Sequence, residues 1–468
     1  MKTVGRILAI LMWSFAADRL SADTWPTGSV GTQTAIAPTT ALPKAFEASG
    51  IVWHPGTERL YVVSDSQIAS LSKTGGDEKR FAVKDGAEKV DMESITATDS
   101  KTLLYVGVEF NATAGGPQIR ALRVPEVTLT GEVWTLHFPK DDKGNETVNS
   151  GNGMEGMTWI PNGSHPYANS ASGGLFYASS QKNNRIYVFD VDLANTEESK
   201  WIDTFKPADQ KDISDLYYDP PTRLLYVLYD TNNKLVEIDP STTAYEQIAT
   251  YDLPALPEDQ EGVTLLPDCS ASTTTIFLAS DKPNQGIYSF PLFPELCATS
   301  SSPTGDATIS RSATNLPINY GSTAQLLADT NPEPRDFLIR FAPPANAAQI
   351  VRARLLLYAH DGTTSSPSFC GTVDPTPTSP PTDPPPYIWD SATVTGSKAP
   401  ACTGTATGGG AKVEDKSWVG YDVTTAYKTY SSFRFTAKTD NDFGANSSRA
   451  SANPPHLLVW TQKPAPKP

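Results

Sequence analysis

Short apolar runs recur along the first part of the chain in one order. A small or acidic residue opens an apolar run, a turn follows, and two further apolar runs come after it. The first copy reads Ser49-Gly-Ile-Val-Trp-His54, a Pro55-Gly56 turn, Arg59-Leu-Tyr-Val-Val-Ser-Asp65 and Gln67-Ile-Ala-Ser-Leu71. The others open at Glu93-Ser-Ile-Thr-Ala97, Glu155-Gly-Met-Thr-Trp159, Ser214-Asp-Leu-Tyr-Tyr218 and Glu261-Gly-Val-Thr-Leu265, each followed by two strand-like runs. Such brief β-branched and aromatic runs between turns predict strands.

The opening residues lie 44, 62, 59 and 47 positions apart, close to the ~40–50 residues of a four-stranded propeller blade with loop insertions. Polar fourth-strand candidates follow four of the copies at 79–84, 132–138, 201–206 and 245–252. The fifth copy lacks one, because Cys297 and a Ser/Thr/Pro run follow at once. An open blade edge leaves backbone donors and acceptors unpaired, so the segment around Val30–Pro38 is predicted to close the ring as the outer strand of the last blade. The expectation is an all-β chain with a five-bladed β-propeller over 24–298. Six blades, with a degenerate repeat in the insertions after Glu93 or Glu155, is the alternative.

The run Thr299-Ser-Ser-Ser-Pro-Thr-Gly305 reads as a linker. Beyond it a second β pattern spans 306–462, and alternation such as Val351-Arg-Ala-Arg-Leu-Leu-Leu357 predicts two sheets packed face to face. On that alternation Arg352 and Arg354 share one strand surface, expected to face solvent and to suit carboxylate groups. Trp418 is expected in the core.

Composition refines this picture. The 39 Pro and 32 Gly favour turns and short strands over long helices. Lys2 and Arg6 precede an apolar run, Ile7–Ala17, of signal-peptide length, so 1–22 is expected to be a signal peptide and the protein secreted, extracellular or at the cell wall. No later stretch reaches the ~18 apolar residues of a membrane span. Four cysteines without a Cys-x-x-Cys pair fit an oxidising compartment, and one bridge inside each domain, Cys269 to Cys297 and Cys370 to Cys402, is the preferred connectivity of three. Sequons at Asn111, Asn145, Asn162 and Asn446 are compatible with a glycoprotein. Residues 306–468 hold 14 Lys+Arg against 13 Asp+Glu, which leaves 23 against 39, a balance of −16, to residues 1–305. That acidity disfavours nucleic acid or an anionic membrane as partner and suits a cation. A monomer is expected.

If each repeat opens a blade, Ser49, Glu93, Glu155, Ser214 and Glu261 occupy one equivalent position and meet on the ring axis. Three carboxylates and two hydroxyls form an oxygen set for a hard cation, and Ca2+ is the expected cofactor. Catalytic residues are not assigned: His54 and His137 read as β-edge histidines, and no Gly-x-Ser-x-Gly elbow is present.

The Ser, Glu, Glu, Ser, Glu order, with Ile213-Ser-Asp-Leu216 in the fourth copy, resembles the five-bladed calcium-activated nucleotidases, which implies a central calcium held by such a set. Asn152-Gly-Met-Glu-Gly-Met-Thr-Trp-Ile-Pro-Asn162 resembles the phytase-like esterase family, and Asp212-Ile-Ser-Asp-Leu-Tyr-Tyr-Asp-Pro220 resembles the SdiA-regulated, YjiK-like family. A calcium-dependent phosphoesterase is the activity these resemblances imply, yet the strand ends offer an acidic or neutral rim (Ser64-Asp65, Glu109, Ser180-Gln181, Asp230, Asp281-Lys282) to a phosphate. In the second region Asp306-Ala-Thr-Ile309, Phe337-Leu-Ile-Arg-Phe341, Ala353-Arg-Leu-Leu-Leu-Tyr358, Trp418-Val-Gly-Tyr-Asp-Val-Thr424 and Ser447-Ser-Arg449 resemble DNRLRE or CBM96-type carbohydrate-binding modules, which implies a jelly-roll β-sandwich and an extracellular polysaccharide partner, an anionic one suiting Arg352 and Arg354, with Trp389 a candidate for stacking on a sugar ring. The acidic partner that usually follows the late Arg is here Ala450.

Overall fold

Each repeat folds as a four-stranded antiparallel sheet. The computed structural model describes residues 34–35 and 46–462 apart from 86–87, 196–198, 208–211, 232, 254–258, 267, 270–272, 282–285, 295, 373–388, 410–411 and 439–442. The expected signal peptide, Lys282 and most of the Pro-rich segment 367–386 lie outside the described residues.

In chain order the inner strands are Gly50–His54, Met92–Ala97, Met154–Pro161, Ile213–Asp219 and Gln260–Leu266, and each is followed by its second and third strands outward. The fourth strands of blades one to four are Lys79–Ala82, Thr128–Thr135, Ser199–Phe205 and Glu246–Asp252. In blade five that place is taken by the N-terminal Thr34–Ala35, with Thr34 opposite Ser289 and Ala35 opposite Tyr288. This is the closure that an open edge requires. Burial explains the composition of the strands. The second strand of blade four, Leu224–Tyr229, is buried at every position because blades cover both its faces, whereas the fourth strand, Glu246–Asp252, is partly exposed and correspondingly polar. Burying each such apolar side chain contributes about 1.5–3 kcal/mol.

The inner strands pack side by side around the ring, first on second, second on third, third on fourth, fourth on fifth, and fifth back on first. The residue after each key position faces this junction. A Cβ at Gly156 would lie 2.7 Å from the Asp215 backbone, and one at Gly262 would lie 3.0 Å from the Ile51 amide nitrogen. Glycine there allows the close approach.

The second domain is a two-sheet sandwich. One sheet is ordered Ala298–Ser301, His456–Thr461, Ile350–Asp361, Phe443–Asn446 and Gln325–Ala328, with Ser417–Asp422 also paired to the long central strand. The other is ordered Gly305–Ser310, Arg335–Arg340, Ser432–Thr436, Ser368–Thr372 and Cys402–Thr407. Phe337, Ile339, Leu355, Leu357, Phe433, Phe435 and Leu457 fill the space between them. The segment 299–305 expected as a linker is instead partly strand: Ala298–Ser301 pairs with His456–Thr461, so the sandwich starts almost at the last blade. Cys269 is bonded to Cys297 and Cys370 to Cys402, one bridge per domain, with Cα separations of 5.5 and 5.6 Å.

The two domains meet over an apolar patch of Leu356, Trp418, Leu458 and Trp460, with Leu296 and Tyr358 against it. Trp460 Nε1 donates to the Thr222 carbonyl at 2.8 Å, and Trp418 N to the Pro166 carbonyl at 3.1 Å. Asp306 supplies what Ala450 does not: its Oδ1 accepts from Arg449 Nη2 at 2.5 Å, with the Arg449 guanidinium also on the Asp306 carbonyl at 2.9 Å.

Candidate metal centre

A register slip marks the key position of every blade. In blades two to five the pairing with the second strand shifts by one residue between Met92 and Ser94, Met154 and Met157, Ile213 and Asp215, and Gln260 and Gly262. The inserted residue is Glu93, Ser214 or Glu261 in three of them, and Glu155 lies within the shift in blade three. In blade one the Ser49 amide bonds the Val63 carbonyl at 3.0 Å while Gly50 is the residue opposite Val63, so two residues again face one. A bulge takes one side chain out of the alternation and re-aims it. Here it frees five key side chains from the blade-to-blade core.

Glu155 acts on both other key glutamates, and Glu93 also acts on Glu261. Burial raises all of them above the usual carboxylate range, and neighbouring negative charge adds to it. Glu93 is pushed up to about 8, with Glu155 and Asp91 as the main charges. Glu155 goes to about 7, with Glu109 and Asp212 contributing. Glu261 goes to about 10, with Asp230 and Glu155 contributing. The Ser49 hydroxyl hydrogen-bonds the Glu93 carboxylate and acts in the opposite direction. Ser214 Oγ is buried without a hydrogen-bond partner. Half-buried carboxylates that feel one another's charge and an orphaned hydroxyl are a donor set that a hard cation would complete. In donor chemistry, three carboxylates and two hydroxyls suit a calcium ion.

Glu93 also belongs to a tighter group that the sequence reading missed. Its carboxylate, that of Asp91 and that of Glu109 have oxygens within 4.8 Å of one another. Among the described residues this is the close carboxylate cluster; Glu93, Glu155 and Glu261 are linked through charge without closing to that distance. Glu109 also accepts from the Gly153 amide at 3.1 Å, tying blade two to the start of blade three. Asp91 sits two residues before a key position and Glu109 at the end of the second strand, so neither shares the repeat position that drew attention to the others.

A second device links the inner strands at four of the five junctions. Three residues after the key position stand Thr96, Thr158 and Thr264, and each hydroxyl accepts from an amide of the next inner strand: Trp159 N at 3.3 Å, Tyr218 N at 2.9 Å and Trp53 N at 3.0 Å. Blade four has Tyr217 there and uses Asp215, whose Oδ2 accepts from Val263 N at 2.9 Å. The recurrence of Thr in Glu-Ser-Ile-Thr, Glu-Gly-Met-Thr and Glu-Gly-Val-Thr was the available signal.

The candidate glycan residues stand elsewhere than expected. Arg352 and Arg354 do share one face of their strand, but that face meets the propeller, and both are buried. Arg354 Nη2 donates to Asp239 Oδ2 and to Glu246 Oε2, each at 2.7 Å, and Arg352 bonds the same two acids. The expected solvent-facing surface is thus a domain junction. Trp389 is buried as well: it packs on Ala307, Ile309, Leu338 and Val394, donates from Nε1 to Ser432 Oγ at 2.8 Å, and carries the Arg340 guanidinium 5.1 Å over its ring. An indole so enclosed offers no face to a sugar. His54 is buried, its Nδ1 3.1 Å from Thr57 Oγ1, and desolvation lowers its pKa; His137 is exposed.

Residues 45–282, a little over half the chain, match the model of the phytase-like family, described as the esterase-like activity of phytase. Residues 298–461 match carbohydrate-binding module family 96. The phytase-like and CBM96-type resemblances read from the sequence are thereby borne out. No curated relative matches the chain. Among solved structures, a luciferin-regenerating enzyme is 12% identical over 56% of this chain and 98% of its own, with a TM-score of 0.33, and a nidogen/laminin complex is 11% identical over 53% of this chain and 80% of its own, with a TM-score of 0.30. Both scores are too low to carry fold or function across.

Proposed function

The chain belongs to the phytase-like family, and we propose that it is a secreted calcium-binding propeller held on extracellular or cell-wall polysaccharide by its C-terminal module. The observation that carries the reading is the set of bulged key residues: burial raises Glu93, Glu155 and Glu261, the Glu155 charge adds to the shifts of Glu93 and Glu261, and the Ser214 hydroxyl is buried without a partner. Those residues with Ser49 would hold the ion. Bound there, calcium would supply the positive charge that lets three neighbouring carboxylates ionise together. Its first role is therefore structural, joining five blades at their common axis. The two disulfides suit an oxidising, extracellular setting. Elemental analysis of the secreted protein after dialysis against trace calcium tests the reading: about one calcium per chain supports it, and a value far below that counts against it.

A second reading has its own observation. Asp91 and Glu109 extend the acidic group beyond the axial position, and a carboxylate cluster at a strand end is suited to recruit further divalent cations. A phosphate ester would need such cations as its counter-charge, because these acids by themselves repel it. The protein's own residues there would position the ions, and metal-assisted hydrolysis of phosphate esters is the reaction class. Incubation with nucleoside diphosphates, phytate and simple phosphate monoesters, with and without calcium, decides it; no turnover on any of them removes the enzyme reading and leaves the structural one.

A further inference from the structure

The arginine pair and Trp389 are buried, so a glycan-binding role needs another recess, and one lies where the two domains meet. It is a cleft of about 900 Å3 walled by the third blade's outer strands and the loop around Tyr167 and Asn169, by the turn at Thr243 in blade four, and by the sandwich from Ser417 to Asp422. We propose that this cleft binds a segment of polysaccharide that carries no acidic groups, an inference that rests on the carbohydrate-binding reading of the second domain and gives it a site and a ligand class.

Size and place agree with this. Ligand clefts are typically ~300–1,000 Å3 and favour domain boundaries. The wall chemistry suits a polyhydroxylated ligand, which must both give and receive hydrogen bonds along an otherwise apolar ring. Tyr167 offers an aromatic surface, Thr243 offers an exposed hydroxyl, and Lys200 and Asp203 add a donor and an acceptor, while the Asn169 amide at the rim is held by Asn453 Oδ1 at 2.7 Å and by Trp418 Nε1 at 3.3 Å. Parts of the wall are fixed in advance. The Tyr167 hydroxyl is held by Asp203 Oδ2 at 2.6 Å and lies 2.5 Å from the Tyr245 hydroxyl, and Asp190 Oδ1 accepts from Ser170 Oγ at 2.6 Å. Preorganised groups lose less freedom on binding.

Charge selects the ligand class. Six carboxylates line the cleft against three cations. Of those cations Arg354 is committed to Asp239 and Glu246, and Lys412 is paired with Glu414 at 2.5 Å. The wall is therefore net negative, and a uronic or sulfated chain would meet repulsion. The anionic glycan expected from the arginines loses its basis at the same stroke, since their charge is spent inside the protein.

The test uses the full-length chain and calorimetric titration with uncharged gluco-, manno-, xylo- and galacto-oligosaccharides and with an oligouronate of equal length. Thr243→Trp fills the cleft from an exposed position, and Asn169→Ala removes an amide that orders its rim through Asn453 and Trp418; thermal unfolding establishes that each variant is folded. The proposal expects binding of an uncharged oligosaccharide at least about tenfold tighter than of the oligouronate, and a loss of about tenfold or more in the Thr243→Trp variant with a smaller loss in Asn169→Ala. Binding undiminished in both variants overturns the cleft and leaves glycan binding to another surface. Tighter binding of the oligouronate overturns the ligand class. Failure to bind any of these sugars, or any insoluble polysaccharide, overturns the cleft and the carbohydrate-binding reading together.

Discussion

Arg354 of the sandwich donates from Nη2 to Oδ2 of Asp239 in the fourth blade at 2.7 Å, and both side chains are buried at the junction of the domains. Burial alone would raise the Asp239 carboxyl, but Arg352 and Arg354 outweigh it and hold the group below its ordinary value. Two guanidiniums on one buried carboxylate, with the exposed Glu246 as the second acid, fix the angle between propeller and sandwich.

Removing that carboxylate leaves two buried cations facing each other. Asp239→Ala is expected to destabilise the chain by about 3–5 kcal/mol and to split unfolding into two transitions as the domains uncouple. Differential scanning calorimetry reads both effects. A single transition at the wild-type temperature would show that the ion cluster does not join the domains.

The same carboxylate gives an acid limit. Its folded pKa lies below the unfolded value of 3.8, so its contribution is present above that value and is lost as pH falls through the folded one. Domain coupling should fail on the acid side of about pH 4, seen as splitting of the calorimetric transition there and not at pH 6.

The three key glutamates have the opposite sign. Their folded pKa values, about 8, 7 and 10 for Glu93, Glu155 and Glu261, lie above the unfolded 4.5. Their contribution to metal-free stability is therefore complete below about pH 4.5 and declines as pH rises through about 7 to 10. A protein stripped with EDTA should lose unfolding temperature from pH 5 to 8, and added calcium should raise it more at pH 8 than at pH 5. Equal gains at both pH values would mean that these carboxylates are not the ligands.

The inter-blade threonines make a local prediction. In Thr158→Val the Tyr218 amide, bonded to Thr158 Oγ1 at 2.9 Å, loses its acceptor in a buried strand. A cost of about 1–3 kcal/mol in urea unfolding is expected, without change in calcium content. A neutral substitution would mean that the ring is held by packing alone.

Much of this design is legible in the repeats. The five apolar grammars, the missing fourth strand after Phe290, the two disulfides and the alignment of Ser49, Glu93, Glu155, Ser214 and Glu261 all follow from local spacing. The arginines show where such reading stops. Period-two alternation placed Arg352 and Arg354 on the side of their strand away from the sandwich core, correctly, but alternation carries no information on whether that side meets water or another domain. Their partners, Asp239 and Glu246, are over a hundred residues away. Trp389 was misplaced for a like reason, because the surfaces it packs against come from strands remote in sequence. The bulges are also silent in sequence: Glu93 and Glu261 sit where alternation would turn them into a blade, and only the one-residue slip frees them.

The central claim is a cation on the propeller axis, and calcium titration calorimetry of the EDTA-stripped protein at pH 8 against Glu155→Gln and Glu261→Gln tests it most directly. The account predicts about one high-affinity site per wild-type chain and its loss or a weakening of at least about tenfold in each variant, with both variants folded. Binding of unaltered affinity and stoichiometry in Glu155→Gln and Glu261→Gln would contradict it.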